Sequence, residues 1–137
     1  MQHLTVAEVE YVACRLARDL GWDEPIPEFG SRFPNVLEGC LVAPFQTFSG
    51  RSLYRGLVGK AAILFYLMVK NHPFQNGNKR LAMTTLLYFL HRNGKWLRAD
   101  NQTVYNFAKW VAASDPRFKE EVISAIEKFI RIALVRR

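Results

Sequence analysis

Residues 72–80 form a polar segment between two apolar segments, and this arrangement decides the fold. They read His72-Pro73-Phe74-Gln75-Asn76-Gly77-Asn78-Lys79-Arg80. Residues 57–69 before this segment are apolar at almost every position, and so are most of residues 81–90 after it. A helix that is apolar on all sides is buried on all sides. The sequence therefore predicts two central helices joined by a polar loop.

The chain before these helices carries weaker helix signals. Thr5 and Glu8 have the spacing of a capping box ahead of an amphipathic pattern. Residues 22–34 contain several Pro and Gly and indicate an irregular connection. Asn35 is placed to cap a short helix that ends at Pro44. We expect a first amphipathic helix, a connection and a short second helix.

Two further helices are predicted after the central pair. Asp100 or Asn101 is placed to cap one of them, and Asp115-Pro116 precedes the other. No internal repeat, low-complexity tract or linker interrupts the pattern. The sequence thus predicts one compact all-α domain that comprises residues 1–137.

A short hairpin or flap is predicted at residues 45–54. Gln46, Thr47 and Phe48 precede Ser49-Gly50, a dipeptide typical of a turn. Residues on the far side of this turn are again suited to a strand. The all-α domain should therefore carry one small exposed β element.

Composition limits the classes of partner. Of 137 residues, 50% are hydrophobic, and 19 Lys and Arg against 12 Asp and Glu give a formal net charge of +7. This excludes a disordered chain or a disulfide scaffold and favours nucleic acid, nucleotide phosphates or an acidic protein as partner. Cys14 and Cys40 have no metal-ligand spacing and indicate buried thiols in a reducing compartment. The longest apolar stretch, residues 61–69, is too short for a membrane span, so we expect a cytoplasmic protein.

The basic residues near the C-terminus are best interpreted as a solvated face and tail. They are Lys128, Arg131, Arg136 and Arg137. No recognition-helix pattern accompanies them. Nucleic acid is therefore not favoured as a partner, although the net charge keeps it open as a non-enzymatic class.

His72 is the candidate catalytic residue. It follows the first central helix, and an imidazole can take a proton from an attacking hydroxyl at neutral pH. A lone histidine at a helix end is more often structural, so its position in the whole loop carries the catalytic interpretation. Phe74 is expected to turn inward and anchor that loop.

The rest of the loop has the chemistry of an anion site. Gly77 and Asn78 lead into the N-terminus of the second central helix, where backbone N–H groups and the helix dipole favour anions. Lys79 and Arg80 add positive charge, and Arg80 can hold phosphate oxygens in a bidentate manner. A simple helix-start turn at Gly77 and a solvated Lys79 remain the structural alternatives.

The loop resembles the signature of the Fic/Doc family, which has the pattern His-Pro-Phe-x-x-Gly-Asn-Lys-Arg here. The ending Asn-Lys-Arg is similar to that of the Doc branch, the death-on-curing toxins. The order of flap, apolar helix, loop and second apolar helix is also Doc-like over residues 35–100. The resemblance implies a small helical domain that transfers part of a nucleotide to a protein hydroxyl with the help of Mg²⁺.

The resemblance also implies roles for individual residues. His72 would be the general base, Gly77 and Asn78 the anion hole, Lys79 and Arg80 the ATP-binding and phosphate-binding cations, and Phe74 the structural anchor. Gln46, Thr47, Phe48 and Ser49 would form the flap that holds the target by strand-like pairing.

Doc-type proteins phosphorylate elongation factor Tu, whereas typical Fic proteins transfer AMP. The resemblance therefore implies an ATP-dependent Ser/Thr phosphotransferase toxin that acts on a translation factor. It also implies an antitoxin whose disordered tail folds onto the toxin. A Fic-type adenylyltransferase and a catalytically silent binding protein are the alternatives.

Asn76 departs from the family pattern, which has Asp or Glu at this position to help hold Mg²⁺. An amide oxygen brings no negative charge, so metal binding should weaken. Four explanations stay open. First, the enzyme stays active with metal that is bound mainly by the phosphates. Second, the protein binds its partner without catalysing a reaction, or third, Asn76 is a change that silences a toxin for expression. Fourth, Asn76-Gly77 deamidates, and the resulting aspartate is the active form.

Overall fold

The computed structural model describes residues 1–19, 33–74 and 76–137. In chain order, the elements are α1 (Val6–Glu8), a π-helical turn (Val9–Ala13), α2 (Cys14–Asp19), α3 (Pro34–Val42), a 3₁₀ turn (Ala43–Phe45), β1 (Thr47–Phe48), β2 (Arg51–Ser52), α4 (Gly56–Asn71), α5 (Asn78–Arg92), β3 (Lys95–Leu97), α6 (Asn101–Ala113), a second 3₁₀ turn (Pro116–Phe118), α7 (Lys119–Ala133) and β4 (Leu134–Arg136). Helices predominate, and the strands in the described ranges form two small sheets of two strands each. The predicted all-α class is confirmed.

The two predicted central helices are α4 and α5, which pack against each other. Helix α4 also packs against α3, α6 and α7. Residues 59–66 of α4 and residues 81–87 of α5 are buried without interruption. Their uniformly apolar sequences therefore reflect contact with neighbours on every side. The described residues of the loop between them, 72–74 and 76–77, lead from the end of α4 to the start of α5.

The first helical segment begins with the predicted capping box. The Glu8 backbone N–H donates to the Thr5 hydroxyl, and the Thr5 backbone N–H donates to the Glu8 carboxylate, both at 3.1 Å. Glu8 also forms an ion pair with Arg92 and accepts a hydrogen bond from the Tyr88 hydroxyl at 3.0 Å. These contacts fasten the segment to α5. The predicted connection lies outside the described residues from 22 to 32.

Helix α3 begins earlier than predicted. Phe33 is its N-cap, Pro34 is its first residue and Asn35 lies inside the first turn, so the prediction that Asn35 caps the helix is wrong. Proline fits the first helical position because its fixed φ is already helical and its missing N–H would have no partner there. Cys40 on α3 is buried, as predicted, and burial raises its pKa to about 11. The side chain of Cys14 lies outside the described set.

The caps of the later helices are resolved by the structure. Asp100 caps α6 and accepts a hydrogen bond from the Thr103 N–H at 3.0 Å, which settles the alternative between Asp100 and Asn101. Asp115 caps the second 3₁₀ turn, and the last helix itself starts at Lys119. A tight turn therefore separates the predicted start signal from α7.

A second sheet, β3 with β4, was not predicted. The strands are antiparallel, with Lys95 opposite Arg136 and Leu97 opposite Leu134. Leu97 is buried, so the sheet covers one edge of the core. Arg136 is exposed, as predicted, but it lies in a strand rather than in a tail. Strands of three residues are too short to show an alternating pattern.

The predicted flap is confirmed as the hairpin of β1 and β2. Ser49 and Gly50 have φ of 52° and 76°, the left-handed values that a tight two-residue hairpin turn requires. All residues from 46 to 53 are exposed. The buried Lys60 of α4 donates a hydrogen bond to the Tyr54 carbonyl oxygen, which fixes the end of the flap to the core.

None of the helices in the described ranges combines the length and the apolar character needed to cross a membrane.

Candidate functional site

His72 lies exposed at the end of α4 in a strained backbone conformation. Its φ of 49° and ψ of 59° are left-handed, which costs an L-residue roughly 1–2 kcal/mol. Glycine is the usual residue at such a helix end. A strained, exposed and titratable side chain at this point makes His72 a candidate functional residue.

Lys70 fixes the last turn of α4 just before His72. Its ammonium group donates to the Ser114 carbonyl oxygen at 2.6 Å and to the Ala112 and Val111 carbonyl oxygens at 3.3 and 3.4 Å. These carbonyls belong to the C-terminal end of α6, where the helix dipole favours a cation. The position of His72 is thereby tied to α6 as well as to α4.

The loop after His72 is anchored by Phe74, whose side chain is 2% exposed. The Pro73 carbonyl oxygen also accepts a hydrogen bond from the Phe33 N–H at 3.1 Å. Inward packing and this backbone contact hold the loop against the core and the start of α3. His72 and Asn76, in contrast, are exposed.

Asn78 closes the loop with its side chain. The Asn78 amide nitrogen donates to the Phe74 carbonyl oxygen at 3.0 Å, and the Phe74 N–H donates to the Asn78 amide oxygen at 2.9 Å. The side chain is therefore committed to the loop and does not line an anion hole. What Asn78 offers an anion is its backbone N–H at the first position of α5.

Gly77 sets the direction from which α5 starts. Its φ of 69° is left-handed, and it is the N-cap of α5. The first backbone N–H groups of a helix have no acceptor within the helix and carry partial positive charge. Lys79 and Arg80 lie in this first turn and are half-buried. The arrangement suits the binding of phosphate oxygens.

Arg80 contacts Tyr105, a residue for which the sequence gave no functional signal. Its guanidinium carbon lies 4.0 Å from the centre of the Tyr105 ring on α6. The ammonium nitrogen of Lys109 lies 5.8 Å from the centre of the same ring. Tyr105 and Lys109 are four residues apart, which indicates a shared helix face, but the sequence contains no signal that this face meets Arg80.

Among the residues that the structure describes, the donor atoms near Asn76 do not fit a magnesium ion held by the protein. The sequence has no Asp or Glu from residue 39 to residue 99. Over the ranges that the structure describes, no group of His, Cys, Asp and Glu side chains is placed to hold a metal. Magnesium prefers carboxylate and phosphate oxygens, and Asn76 offers one neutral amide oxygen.

Residues 39–99, which contain no Asp or Glu, are strongly cationic. Their basic residues are Arg51, Arg55, Lys60, Lys70, Lys79, Arg80, Arg92, Lys95 and Arg98. A count of charged residues along the sequence predicts this cationic stretch. Helices α4, α5 and α6 therefore contribute cationic and no carboxylate side chains to this region, which suits the binding of an anion.

Comparison with known proteins gives two matches. The model of the Fic/DOC family matches residues 4–90, which include the flap, α4, the loop and most of α5. The protein named Toxin Doc from Mycolicibacterium smegmatis is 38% identical over 65 residues, which are 47% of this chain. The match spans 50% of that relative's own length. No solved structure matches.

Proposed function

Since the chain belongs to the Fic/DOC family, we propose that it is a Doc-like toxin that transfers a phosphoryl group from ATP to a Ser or Thr hydroxyl of a translation protein. The observation that carries the proposal is the pairing of His72, exposed and strained, with the cationic start of α5 in one anchored loop. The likeness to a Toxin Doc supports the toxin branch.

His72 acts as the general base in this proposal. Its imidazole takes the proton of the target hydroxyl, and the oxygen then attacks the terminal phosphorus of ATP. The bond from that phosphorus to the bridging oxygen breaks, and ADP leaves. The strained backbone at His72 keeps the imidazole on the exposed side of the loop, where a protein hydroxyl can reach it.

The start of α5 binds the nucleotide phosphates. The backbone N–H groups that follow Gly77 donate to phosphate oxygens, and Arg80 provides a planar pair of donors. Lys79 stands where Fic relatives have the second glycine of the signature, and this bulkier cation favours transfer of the terminal phosphoryl group. Magnesium would reach the site with the phosphates, where it would neutralise their charge.

The flap supplies the surface for the protein target. Thr47 and Phe48 form an exposed edge, and the Phe48 side chain is 74% exposed. An extended target segment can add backbone hydrogen bonds along such an edge. We propose elongation factor Tu as the target, and an antitoxin whose tail folds on binding as the inhibitory partner.

The test is the intact mass of elongation factor Tu after incubation with this protein, ATP and Mg²⁺. The proposal expects the gain of one phosphoryl group, lost with His72→Ala and retained with His91→Ala. His91 is also exposed, lies in the last turn of α5 and controls for the general loss of an imidazole.

Other outcomes would redirect the assignment. Gain of an adenylyl group would indicate Fic-type chemistry. If elongation factor Tu gains a group only with the Asn76→Asp variant, the amide of Asn76 is what makes the unmodified chain inactive. If neither form modifies the target, the protein binds elongation factor Tu without modifying it or acts elsewhere, and the proposed activity on this target is wrong.

A further inference from the structure

The sheet of β3 and β4 has one open edge, which belongs to β4. Strand β3 packs against α5 and pairs with β4. Among the residues that the structure describes, no third strand joins this sheet. Strand β4 is therefore the outer strand, and its far edge can accept another extended segment.

The hydrogen bonds of the sheet show which backbone groups face the open edge. The Arg98 N–H donates to the Ala133 carbonyl oxygen at 2.7 Å. The Arg137 N–H donates to the Gly94 carbonyl oxygen at 3.3 Å. In an antiparallel pair, residues that bond to the partner strand alternate with residues that point away from it. Arg136 is one residue from a bonded position, so its N–H and carbonyl oxygen point away from β3 and towards the open edge.

The side chains around this sheet are cationic and form no ion pair with any described residue. They are Lys95, Arg98, Arg136 and Arg137. The carboxylate of Asp100, which follows β3, is engaged with the Thr103 N–H and hydroxyl. A second copy of the chain would bring the same cations to the edge, so like charges oppose that pairing. The charge favours a segment that carries carboxylates.

The outer face of the sheet offers an apolar contact beside these charges. Leu97 is buried, so its neighbour Trp96 lies on the opposite, outer face. Val135 lies opposite Trp96 in the register, and both residues are half-buried. Together with residues 97–100, they line a shallow cavity of about 600 Å³. An apolar side chain of a bound segment can bury its surface there.

We propose that the open edge of β4 is a docking site for an extended acidic segment of a partner protein. The segment adds a third strand that donates to and accepts from the backbone of Arg136. Its carboxylates lie beside the cations, and its alternate, apolar side chains contact Val135 and Trp96. Helix α5, with 15 residues, places this edge about 22 Å from the loop that contains His72. Docking here therefore does not depend on the function proposed for that loop.

The experiment is a fluorescence anisotropy titration of a labelled peptide with the whole chain. The peptide has eight residues that alternate between Glu and Val, and both of its ends are capped. We expect a dissociation constant below about 100 μM at low salt, which rises as salt is added. A peptide with Lys in place of each Glu should not bind. A peptide with Pro in place of the two central Val residues lacks N–H groups for strand pairing and should bind at least about tenfold more weakly.

Variants of Arg136 separate the contribution of its charge from that of its backbone. Arg136→Glu should weaken binding of the acidic peptide by at least about tenfold. Lys128→Glu makes the same change of charge on the exposed face of α7 and should alter binding by less than about twofold.

The backbone contribution is measured by comparing two further variants. Arg136→Ala removes the guanidinium, whereas Arg136→Pro also removes the N–H that faces the open edge. Proline is compatible with an edge strand where the N–H does not bond to the neighbouring strand. Arg136→Pro should therefore bind more weakly than Arg136→Ala, with the same melting temperature by circular dichroism.

Several results would overturn the proposal. If the acidic peptide does not bind at about 1 mM, the cations serve only to protect the edge from aggregation. Equal binding of the Lys peptide, or equal affinity of Arg136→Glu and Lys128→Glu, would show that the edge does not select carboxylates. Equal affinity of Arg136→Pro and Arg136→Ala would exclude strand pairing. A dimer in sedimentation that Arg136→Pro abolishes would assign the edge to a second copy of the chain.

Discussion

The amide of Asn78 forms two hydrogen bonds with the backbone of Phe74, one as donor at 3.0 Å and one as acceptor at 2.9 Å. Only an amide side chain of this length both donates and accepts here. A carboxylate would accept from the Phe74 N–H but would face the Phe74 carbonyl oxygen with no proton to share. The loop therefore depends on Asn at this position for its shape.

Asn78→Asp should lower the free energy of unfolding by about 1–3 kcal/mol, because it leaves a buried carbonyl oxygen unsatisfied. Urea denaturation measures the effect. Asn106→Asp is the matched control on the exposed side of α6, where the oxygen that accepts from Gln102 is retained. Equal stability of the two variants would mean that the hydrogen bonds to Phe74 contribute nothing.

His72→Gly should be more stable than His72→Ala by about 1 kcal/mol. Both variants lack the imidazole, but only Gly adopts a φ of 49° without the steric cost of a β-carbon. Thermal and urea denaturation of the two variants give the difference. If Ala is as stable as Gly, the backbone at this residue is not strained, and strain provides no argument for its function.

The central pair of helices and the loop could be predicted because they are continuous in sequence. Uniform apolarity gave α4 and α5, and the residues of the loop lie within one short segment. The turn signal Ser49-Gly50 likewise identified the flap. Each of these features depends on residues that are neighbours along the chain.

Contacts between distant segments could not be predicted in this way. Lys70 reaches Ser114, and Arg80 meets Tyr105, only because α6 packs beside α5 and α4. The hydrophobic periodicity of one helix does not indicate which other helix will pack against it. The commitment of Asn78 to Phe74 is local but was also missed, because a residue at a helix start has several partners within reach.

Lys70→Met should destabilise the protein by about 1.5–3 kcal/mol, the usual range for hydrogen bonds to a charged group. The methionine keeps the apolar stem and removes only the donors to the end of α6. Lys128→Met, on the exposed face of α7, should change stability by less than about 0.5 kcal/mol. Denaturation midpoints of the two variants decide whether Lys70 joins α4 to α6.

Glu8 should make stability depend on pH in the acid range. Burial acts to raise its pKa, but hydrogen bonds from Thr5, Tyr88 and Arg92 together bring the pKa below the usual value of a glutamate. The unfolded chain then binds the proton more readily, so the stabilisation is present above the unfolded pKa and is lost as pH falls through the folded pKa.

Glu8→Gln should accordingly be less stable than the unmodified chain at neutral pH, and the gap should close in acid. Its size should be modest, since both partners of the ion pair are about a third exposed. Glu38→Gln, which removes a charge from an exposed side chain on α3, controls for the change in net charge. If the difference in stability between Glu8→Gln and the unmodified chain persists in acid, the effect arises from packing and not from the charge of Glu8.

The stretch without carboxylates, residues 39–99, has a consequence for encounters with other proteins. Arg51 and Arg55 are exposed at the flap and at the start of α4, and their field adds to that of the loop cations. A protein segment with acidic residues around its hydroxyl is attracted to this surface before any specific contact forms, and a basic segment is repelled. In the proposed function, the sign of the charge beside the accepting hydroxyl would thus select among protein segments by their rate of association, and added salt would weaken that selection.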